Sequence, residues 1–498
     1  MYDQTPLLPL PLENYISEPE FDAGLLHTFP VLTRKKTKYG KRPDVLDCVC
    51  GFDIEATNID SVEQAVMYIW QFQIEKEITV FGRSWEEFDD LLRKCIKALP
   101  EGCNLVVYVH NLSYEFCYLK GIYDFKPEEV FAVQRRKVVR CDMYDRIEFR
   151  CSYKLSNMSL KDFTRRYQVR HQKLTDYDYR IPLYPWSELT VEQLRYCQND
   201  VLGLCEAVRT LLLWEHDNLI TVPLTSTGFV RRECKKLLRD NLGYTWARKY
   251  FPSPRLYDYM KRCFRGGDTC ANRWYIDETL TNVSSWDRSS SYPDVMVNCL
   301  YPVTPFVECT KKLTVPYLEK LIQRGRAIIM EVRLTNVRLR NKYWGDPYLT
   351  KDKSRNLSPD AEIMNGRILS ARKLETVITE IDYQIIKNTY DYDIEILTYF
   401  KASKGMLPEC LRDYITQLYK NKTELKGLQG STPEETEYNE RIYMKSKALL
   451  NSVYGMTATS PIKEVIEYLK EDRDFHYSIS DQDELFKKCK ELYWIPYE

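Results

Sequence analysis

The sequence predicts a multidomain chain, with an α/β domain first and an α+β region after it. Three observations carry this reading. The 498 residues exceed what one hydrophobic core organises, because single cores stop growing near about 250–300 residues, so about two to four domains are expected. From VLDCVCGFDIEAT onward, strand-like runs alternate with helix-like ones, the pattern of an α/β domain. Beyond residue 216 that alternation gives way to helical stretches, a mixed region and a long helical region.

Residues 1–44 are proline-rich and then basic, with little periodicity, and read as a poorly structured extension. The α/β domain covers 45–215. It holds an apolar run at 45–54, a strand over FQIEKEITVFG at 72–82 and a helix over SWEEFDDLLRKCIKAL at 84–99. Ser84 is its N-cap, with acids in the first turn. NLVVYVHN is a strand, and a helix starts within HNLSYEF. The domain closes with the helix LTVEQLRYCQNDVLGLCEAVRTLLLWE, capped by Thr190 with Glu192 and Gln193 in its first turn. Residues 216–270 form a helical connection ending in CFRGGDT, where Gly266 and Gly267 mark a tight turn or a close backbone approach. Strand-like NVSSWDRSSSYP lies within 271–300, and a mixed insertion spans 301–400. Helices occupy 401–460, interrupted near GLQGSTPEE, and 461–498 begins a further region. No internal repeat or low-complexity tract is present.

Lys plus Arg and Asp plus Glu number 72 each, so net charge does not announce a partner. Basic runs at 34–42, 134–140 and 231–239 permit phosphate contacts, although such runs are most often solvated faces. The 38 tyrosines suit surfaces that contact bases or sugars, and equally suit cores. Sixteen scattered cysteines, the closest pair being Cys48 and Cys50, with only five histidines argue against structural zinc. No signal peptide or long apolar run is evident, so a soluble chain with reduced thiols and no membrane partner is expected.

Three pairs of polar residues stand out. Asp53 and Glu55 are two apart in a strand, so both point to one face. Neighbouring acids repel unless a cation lies between them, the arrangement that divalent metals need. Asn111 and Glu115 are four apart where a helix begins, as are Tyr196 and Asp200 in the closing helix. Singly, each pair reads as a surface feature.

In this order the pairs resemble the Asp-x-Glu, Asn-x-x-x-Asp and Tyr-x-x-x-Asp motifs of proofreading DNA polymerases. The resemblance implies a ribonuclease H-like 3′-5′ exonuclease domain working with two Mg2+ or Mn2+ ions. By motif, Asp53, Glu55, Glu115 and Asp200 would hold the metals and Tyr196 would position the attacking water. Glu115 departs from the family's aspartate, and a misplacement of about 1 Å costs roughly 100-fold in rate. CSYKLSNMSLKDF and HQKLTDYDY resemble segments that hold single-stranded DNA and supply a lysine. Ser152 and Leu155, with Asn111, would contact DNA, and Lys173 would be that lysine.

WDRSSSYPDVM resembles the first palm motif of family B DNA polymerases. Asp287 would bind both polymerase metals, Ser290 would contact the triphosphate, and Tyr292 would lie under the incoming sugar. Pro293 would end the strand, and Ser291 replaces the usual leucine. KALLNSVYGM matches the family's Lys-x-x-x-Asn-Ser-x-Tyr-Gly motif in full. Lys447 would meet the triphosphate, Asn451 and Tyr454 would shape the base pocket, and Gly455 would admit the template. CFRGGDT resembles the family's Tyr-x-Gly-Gly DNA-binding segment, with Phe264 in place of tyrosine ahead of Gly266 and Gly267. The long interval between Asp287 and Lys447 leaves room for the insertion of protein-primed bacteriophage polymerases. The resemblance therefore implies primer–template DNA, deoxynucleoside triphosphates and a terminal protein as partners, acting in the cytoplasm of a bacterial host.

A Tyr-x-Asp-Thr-Asp hairpin is expected downstream of Tyr454, and its nearest imitation is SISDQDEL with Asp481 and Asp483. Tyr390-Asp391-Tyr392-Asp393 has the spacing but precedes the helix. The chain thus reads as the N-terminal part of a polymerase: either one product of a split or intron-interrupted gene, with a second polypeptide carrying the missing motif, or an incomplete sequence. The other readings are a 3′-5′ exonuclease alone and a non-catalytic DNA-binding replication subunit.

Overall fold

The computed structural model describes residues 12–36, 40–59, 64–134, 136–174, 181–243, 245–267, 269, 271–341 and 346–457. The chain divides into two compact units, the first reaching Phe229 and the second running from Val230 to Thr457. The division falls inside a helix that follows the expected α/β domain. Asp481, Asp483 and the region 461–498 lie outside the described residues.

The first unit contains strands β1 (Tyr15–Ser17), β2 (Val31–Leu32), β3 (Asp44–Ile59), β4 (Gln64–Ile74) and β5 (Ile78–Gly82), then helix α1 (Trp85–Ala98). Strand β6 (Cys103–Val109), helix α2 (Leu112–Ile122) and strands β7 (Val130–Ala132), β8 (Val138–Met143) and β9 (Ile147–Cys151) follow. Helices α3 (Ser152–Ser156), α4 (Leu160–Arg166), α5 (Val191–Trp214) and α6 (Ser226–Leu242) complete it, α6 crossing into the second unit. Among the described residues the sheet order is β1-β5-β4-β3-β6-β9-β8-β7, with β2 also paired to β3. β3 runs antiparallel to β4 and parallel to β6, and β6 runs parallel to β9. This is the ribonuclease H-like arrangement implied by the motifs.

β3 shows why the sequence makes a two-faced sheet. Cys48, Cys50, Phe52 and Ile54 alternate onto the core shared with α1 and α2, whereas Val45 and Val49 face the core of α4 and α5. Ser84 caps α1 as expected, forming a reciprocal capping box with Glu87. Thr190 caps α5 in the same way with Gln193.

Two expectations need correction here. FQIEKEITVFG is not one strand: its central Glu75-Lys76-Glu77 forms the turn between β4 and β5. A glutamate at positive φ begins that turn, and three consecutive charged residues favour solvent over a buried strand. The N-terminal extension is also more structured than its composition suggests. Over the described residues, Tyr15–Ser17 extend the sheet beside β5, and Phe21 and Leu26 are buried in its core. Glu13 exchanges hydrogen bonds with the Gln198 side chain of α5, N–H to Oε1 at 3.0 Å and Nε2 to its carbonyl at 2.5 Å.

The second unit adds α7 (Pro254–Cys263), α8 (Ser291–Asn298), β10 (Tyr301–Pro302), β11 (Val307–Cys309), α9 (Val315–Gln323) and β12 (Arg326–Leu339). It continues through β13 (Ser354–Arg355), β14 (Glu362–Met364), β15 (Arg367–Thr379), α10 (Glu380–Thr389), β16 (Tyr390–Gly405), α11 (Glu409–Glu424) and α12 (Pro433–Thr457). Its sheet runs β10-β16-β12-β15-β13, with β11 on β16 and β14 on β15. One face is packed with Leu318 and Leu321 of α9 and Tyr383 and Ile386 of α10. Leu256 and Tyr259 of α7 pack against Ile329, Val377 and Phe400 on the other. Tyr390 opens β16 inside this core, its hydroxyl donating to the Ile368 carbonyl at 2.8 Å. Helices α11 and α12 bury Leu411, Ile415 and Leu418 against Leu449, Leu450 and Val453. Among the described residues no helix is long and apolar enough to cross a membrane.

The strand expected at NVSSWDRSSSYP is not formed. Residues 283–288 have no regular structure, and helix α8 begins at Ser291 with Pro293 in its first turn. A strand needs a neighbour for its N–H and C=O groups, and no described strand pairs with this stretch. Helix α12 runs on through Gly455 to Thr457.

The closest packing in the first unit is between α5 and its neighbours. A Cβ added at Gly51 of β3 would lie 2.8 Å from Cys205 Sγ and 3.2 Å from the Val201 carbonyl oxygen of α5. One added at Gly203 would meet the His171 carbonyl oxygen well inside contact distance. Gly51 allows α5 to reach β3, and Gly203 allows the His171 segment to close on α5. Gly203→Ala is therefore expected to lower the stability of the first unit by about 1–3 kcal/mol. Urea unfolding followed by tryptophan fluorescence measures this, and an unchanged midpoint would show that the packing is slack.

Candidate active site

The approach of α5 to β3 brings three acids together. Carboxylate oxygens of Asp53, Glu55 and Asp200 lie within 4.8 Å of one another. Asp53 and Glu55 project from the same face of β3, and Asp200 is buried on α5. Lys173 completes the group, its Nζ donating to Tyr196 OH at 3.0 Å and forming an ion pair with Asp200 Oδ2. The same ammonium lies 5.0 Å from the centre of the Tyr196 ring. Thus Asp53, Glu55, Asp200, Tyr196 and Lys173 occupy one place, as their motifs imply.

Electrostatics mark the site as strained toward protonation. Removal from water and then the Asp200 carboxylate push Asp53 up to about 7 from 3.8, against the pull of Lys173. Burial, followed by Asp53 and Asp200, raises Glu55 well above its usual value. Burial raises Asp200 as well, with Lys173 opposing. A cation between the acids would relieve both causes. Asp200 Oδ1 is buried with no hydrogen-bond partner among the described residues. Three hard carboxylates with an orphaned oxygen fit Mg2+ or Mn2+.

Glu115 is not one of the three acids that share this spacing, but the Asp53 and Glu55 charges reach it. It is buried on α2, and its Oε2 has no hydrogen-bond partner among the described residues. Burial first, then the Asp53 charge, raises its pKa, so the protonated form is favoured there. Nor does Asn111 share its face. Asn111 is the left-handed N-cap of α2, exposed at φ 73°, and the four-residue helical spacing holds only inside a helix.

The expected DNA contacts also separate. Leu155 is 2% exposed and belongs to the core beneath α4 and α5. Ser152 is fully buried, its Oγ 3.0 Å from His110 Nδ1 and donating to the Val109 carbonyl at 3.2 Å. Beside them Tyr153 is 37% exposed and edge-on to the His110 ring. An apolar residue in a short helix belongs to the core, and that signal points to the neighbouring aromatic as the exposed one.

In the second unit, Tyr292 and Tyr454 stack with ring centres 4.1 Å apart and planes 17° from parallel. Gly267 sits against them, since a Cβ there would lie 3.1 Å from Tyr292 OH. Ser290 takes the left-handed N-cap of α8, and its Oγ accepts from Lys422 Nζ at 2.9 Å. Lys447 and Asn451 are exposed on α12, and Gly455 is half-buried there. Phe264 ends α7 at 46% exposure, and Gly266 has open space around it. The structure thus joins Gly267, Tyr292 and Tyr454, and pairs Ser290 with Lys422. Asp287 is exposed and belongs to no cluster of three metal-ligating side chains among the described residues. Its stretch forms no strand that could hold it toward another acid. Lys422 escaped sequence reasoning because no spacing links α11 to the Asp287 motif; only the fold brings them together.

Residues 185–493 match the family described as DNA polymerase type B, organellar and viral. The chain belongs to that family. No curated protein sequence matches it significantly. Among solved structures, phi29 DNA polymerase complexed with single-stranded DNA matches at 17% identity and a TM-score of 0.62, covering 85% of this chain and 70% of that one. Phi29 DNA polymerase complexed with primer-template DNA matches at the same identity and coverage with a TM-score of 0.60. At that identity the likeness is one of fold, and it agrees with the multidomain α/β architecture of this type B DNA polymerase.

The buried rim of the acidic site in this polymerase titrates. Burial, and then Lys173, hold His110 down at about 4, below its usual 6.5. The folded state favours the neutral ring, so the stability it contributes is present above 6.5 and is lost as pH falls toward 4. His110→Gln should reduce the drop in the urea midpoint between pH 7 and 4.5. An equal drop in both proteins would show that His110 ionises without cost.

Proposed function

We propose that this type B DNA polymerase carries a 3′-5′ exonuclease in its first unit and a nucleotide-binding polymerase region in its second. The observation that carries the exonuclease reading is the convergence of Asp53, Glu55 and Asp200 with Lys173 and Tyr196 from separate segments. Asp53, Glu55 and Asp200 would hold Mg2+ or Mn2+, which when bound supplies Lewis-acid activation of water and stabilisation of the leaving 3′-oxygen.

The protein's own groups set the geometry. Lys173 donates to Tyr196 OH, which turns the phenol proton toward water or a phosphate oxygen. The Lys173 ammonium offsets part of the negative charge that Asp200 brings, so the acids remain together before DNA arrives. Closure by Tyr68, Ile69 and Leu183 around Tyr196 excludes bulk water on that side. In the second unit the Tyr292–Tyr454 stack, with Lys422 on Ser290, supports a pocket for sugar and triphosphate near Lys447 and Asn451. The separate sheet between Asp287 and Lys447 supports the reading of an insertion that meets a terminal-protein primer. Labelled-nucleotide transfer to a hydroxyl of a candidate terminal protein, lost in Asp287→Ala, tests that part; no transfer by the parent would sink it.

A 3′-labelled single-stranded oligonucleotide tests the central reading. With Mn2+ the parent is expected to shorten it from the 3′ end, and Asp53→Ala or Asp200→Ala to slow this by at least about 100-fold. Asp287→Ala should leave degradation unchanged. Equal rates for parent and Asp53→Ala would remove the exonuclease reading and favour a DNA-binding subunit without catalysis.

A further inference from the structure

A loop beside the acidic site is held more firmly than its polarity requires. Its sequence is IPLYPWS, residues 181–187. Thr57 of β3 exchanges two bonds with Leu183, Oγ1 donating to its carbonyl at 2.6 Å and accepting its N–H at 3.0 Å. Arg83 spends its guanidinium on backbone carbonyls, donating to Tyr184 at 2.9 Å, Ser187 at 3.0 Å and Tyr68 at 2.6 Å. Ser187 closes a turn on Tyr184, its N–H donating to the Tyr184 carbonyl at 2.8 Å while its Oγ accepts the Tyr184 N–H at 3.0 Å. Pro182 and Pro185 fix two of the backbone dihedrals.

At the tip of this turn the rings of Tyr184 and Trp186 stack, centres 5.2 Å apart and planes 7° from parallel. Tyr184 covers one side of the indole, and Trp186 remains 37% exposed. A partly exposed indole on an ordered loop offers a flat apolar face on which another ring can stack.

The position of the loop says what it would bind. Thr57 lies two residues beyond Glu55 on β3, a rise of about 7 Å, past a register irregularity in the pairing with β4. Leu183 also packs in the cluster that contains Tyr196. The clamped loop therefore borders the acidic trio on the side of Glu55. A strand whose terminal phosphodiester reached the acids would have bases within reach of the loop, and base–aromatic stacking accepts every base.

We propose that Tyr184 and Trp186 form a stacking platform for a nucleobase of the single strand whose 3′ end reaches Asp53, Glu55 and Asp200. This rests on the exonuclease reading. Arg83 and Thr57 are positioning residues that hold the platform against β3. The platform makes no base-specific hydrogen bond, so its contribution is independent of sequence.

Binding in EDTA tests the platform without cleavage. The probe is a fluorescent oligothymidylate of about eight nucleotides, within the span of single-strand sites, carrying an abasic residue at successive positions from its 3′ end. For the parent, one abasic position should weaken binding by about 5- to 100-fold, the range for loss of one stacked base. In Trp186→Ala that position should lose its effect, Trp186→Phe should restore most of it, and thermal melting should match the parent. If parent and Trp186→Ala respond alike at every position, the platform is wrong. If the abasic coupling is present but the parent with Mn2+ degrades nothing, the platform stands and the exonuclease reading fails.

Discussion

The first unit depends on how closely α5 approaches β3. That approach exists because Gly51 presents no side chain where β3 meets α5, while Gly203 leaves room on α5 for the His171 backbone. It delivers Asp200 opposite Asp53 and Glu55, and it is fastened at both ends. Gln198 holds the N-terminal segment near the acids, and Arg209 pairs with Asp47 and Glu75 farther along the helix. His171 and Glu206, bonded at 2.9 Å, secure the segment that carries Lys173. Packing and chemistry are therefore one arrangement: the contact that closes the core is also the one that collects the carboxylates.

The arrangement has an electrostatic cost. Burial favours protonation of Asp53, Glu55, Asp200 and Glu115, and repulsion from neighbouring acids adds to it for Asp53, Glu55 and Glu115. A fold selected for stability alone would place apolar residues there, since unpaired buried charge is destabilising. Lys173 offsets part of the cost for Asp53, Glu55 and Asp200. The remaining excess of negative charge is what gives the site its affinity for a cation, and the surrounding hydrogen-bonded loops keep it from relaxing apart.

Much of this was legible in the sequence. Periodicity and capping residues located α1 and α5, and motif spacing brought out Asp53, Glu55, Tyr196 and Asp200. Those signals are local: alternation along a strand, a Thr-x-x-Gln box, a Tyr and Asp one helical turn apart. What escaped depends on partners distant in sequence. Lys422 meets Ser290 only after α11 packs near α8, and Leu155 is core because the sheet lies beneath it. Asn111 and Glu115 share a spacing but not a face, because a left-handed N-cap breaks the helical register. The proline-rich start of the chain carries little periodicity, yet a three-residue strand and two buried side chains suffice to dock it.

The central claim is that the α5–β3 contact assembles a divalent-cation site, and direct titration with Mn2+ followed by electron paramagnetic resonance tests it. Binding must displace protons held by these acids, Asp53 being raised to about 7. The account predicts tight Mn2+ binding at pH 8 that weakens steadily as pH falls through 7, and a large loss of affinity in Asp200→Asn at either pH. Binding that is absent at pH 8, or that is equal in the parent and Asp200→Asn, would contradict it.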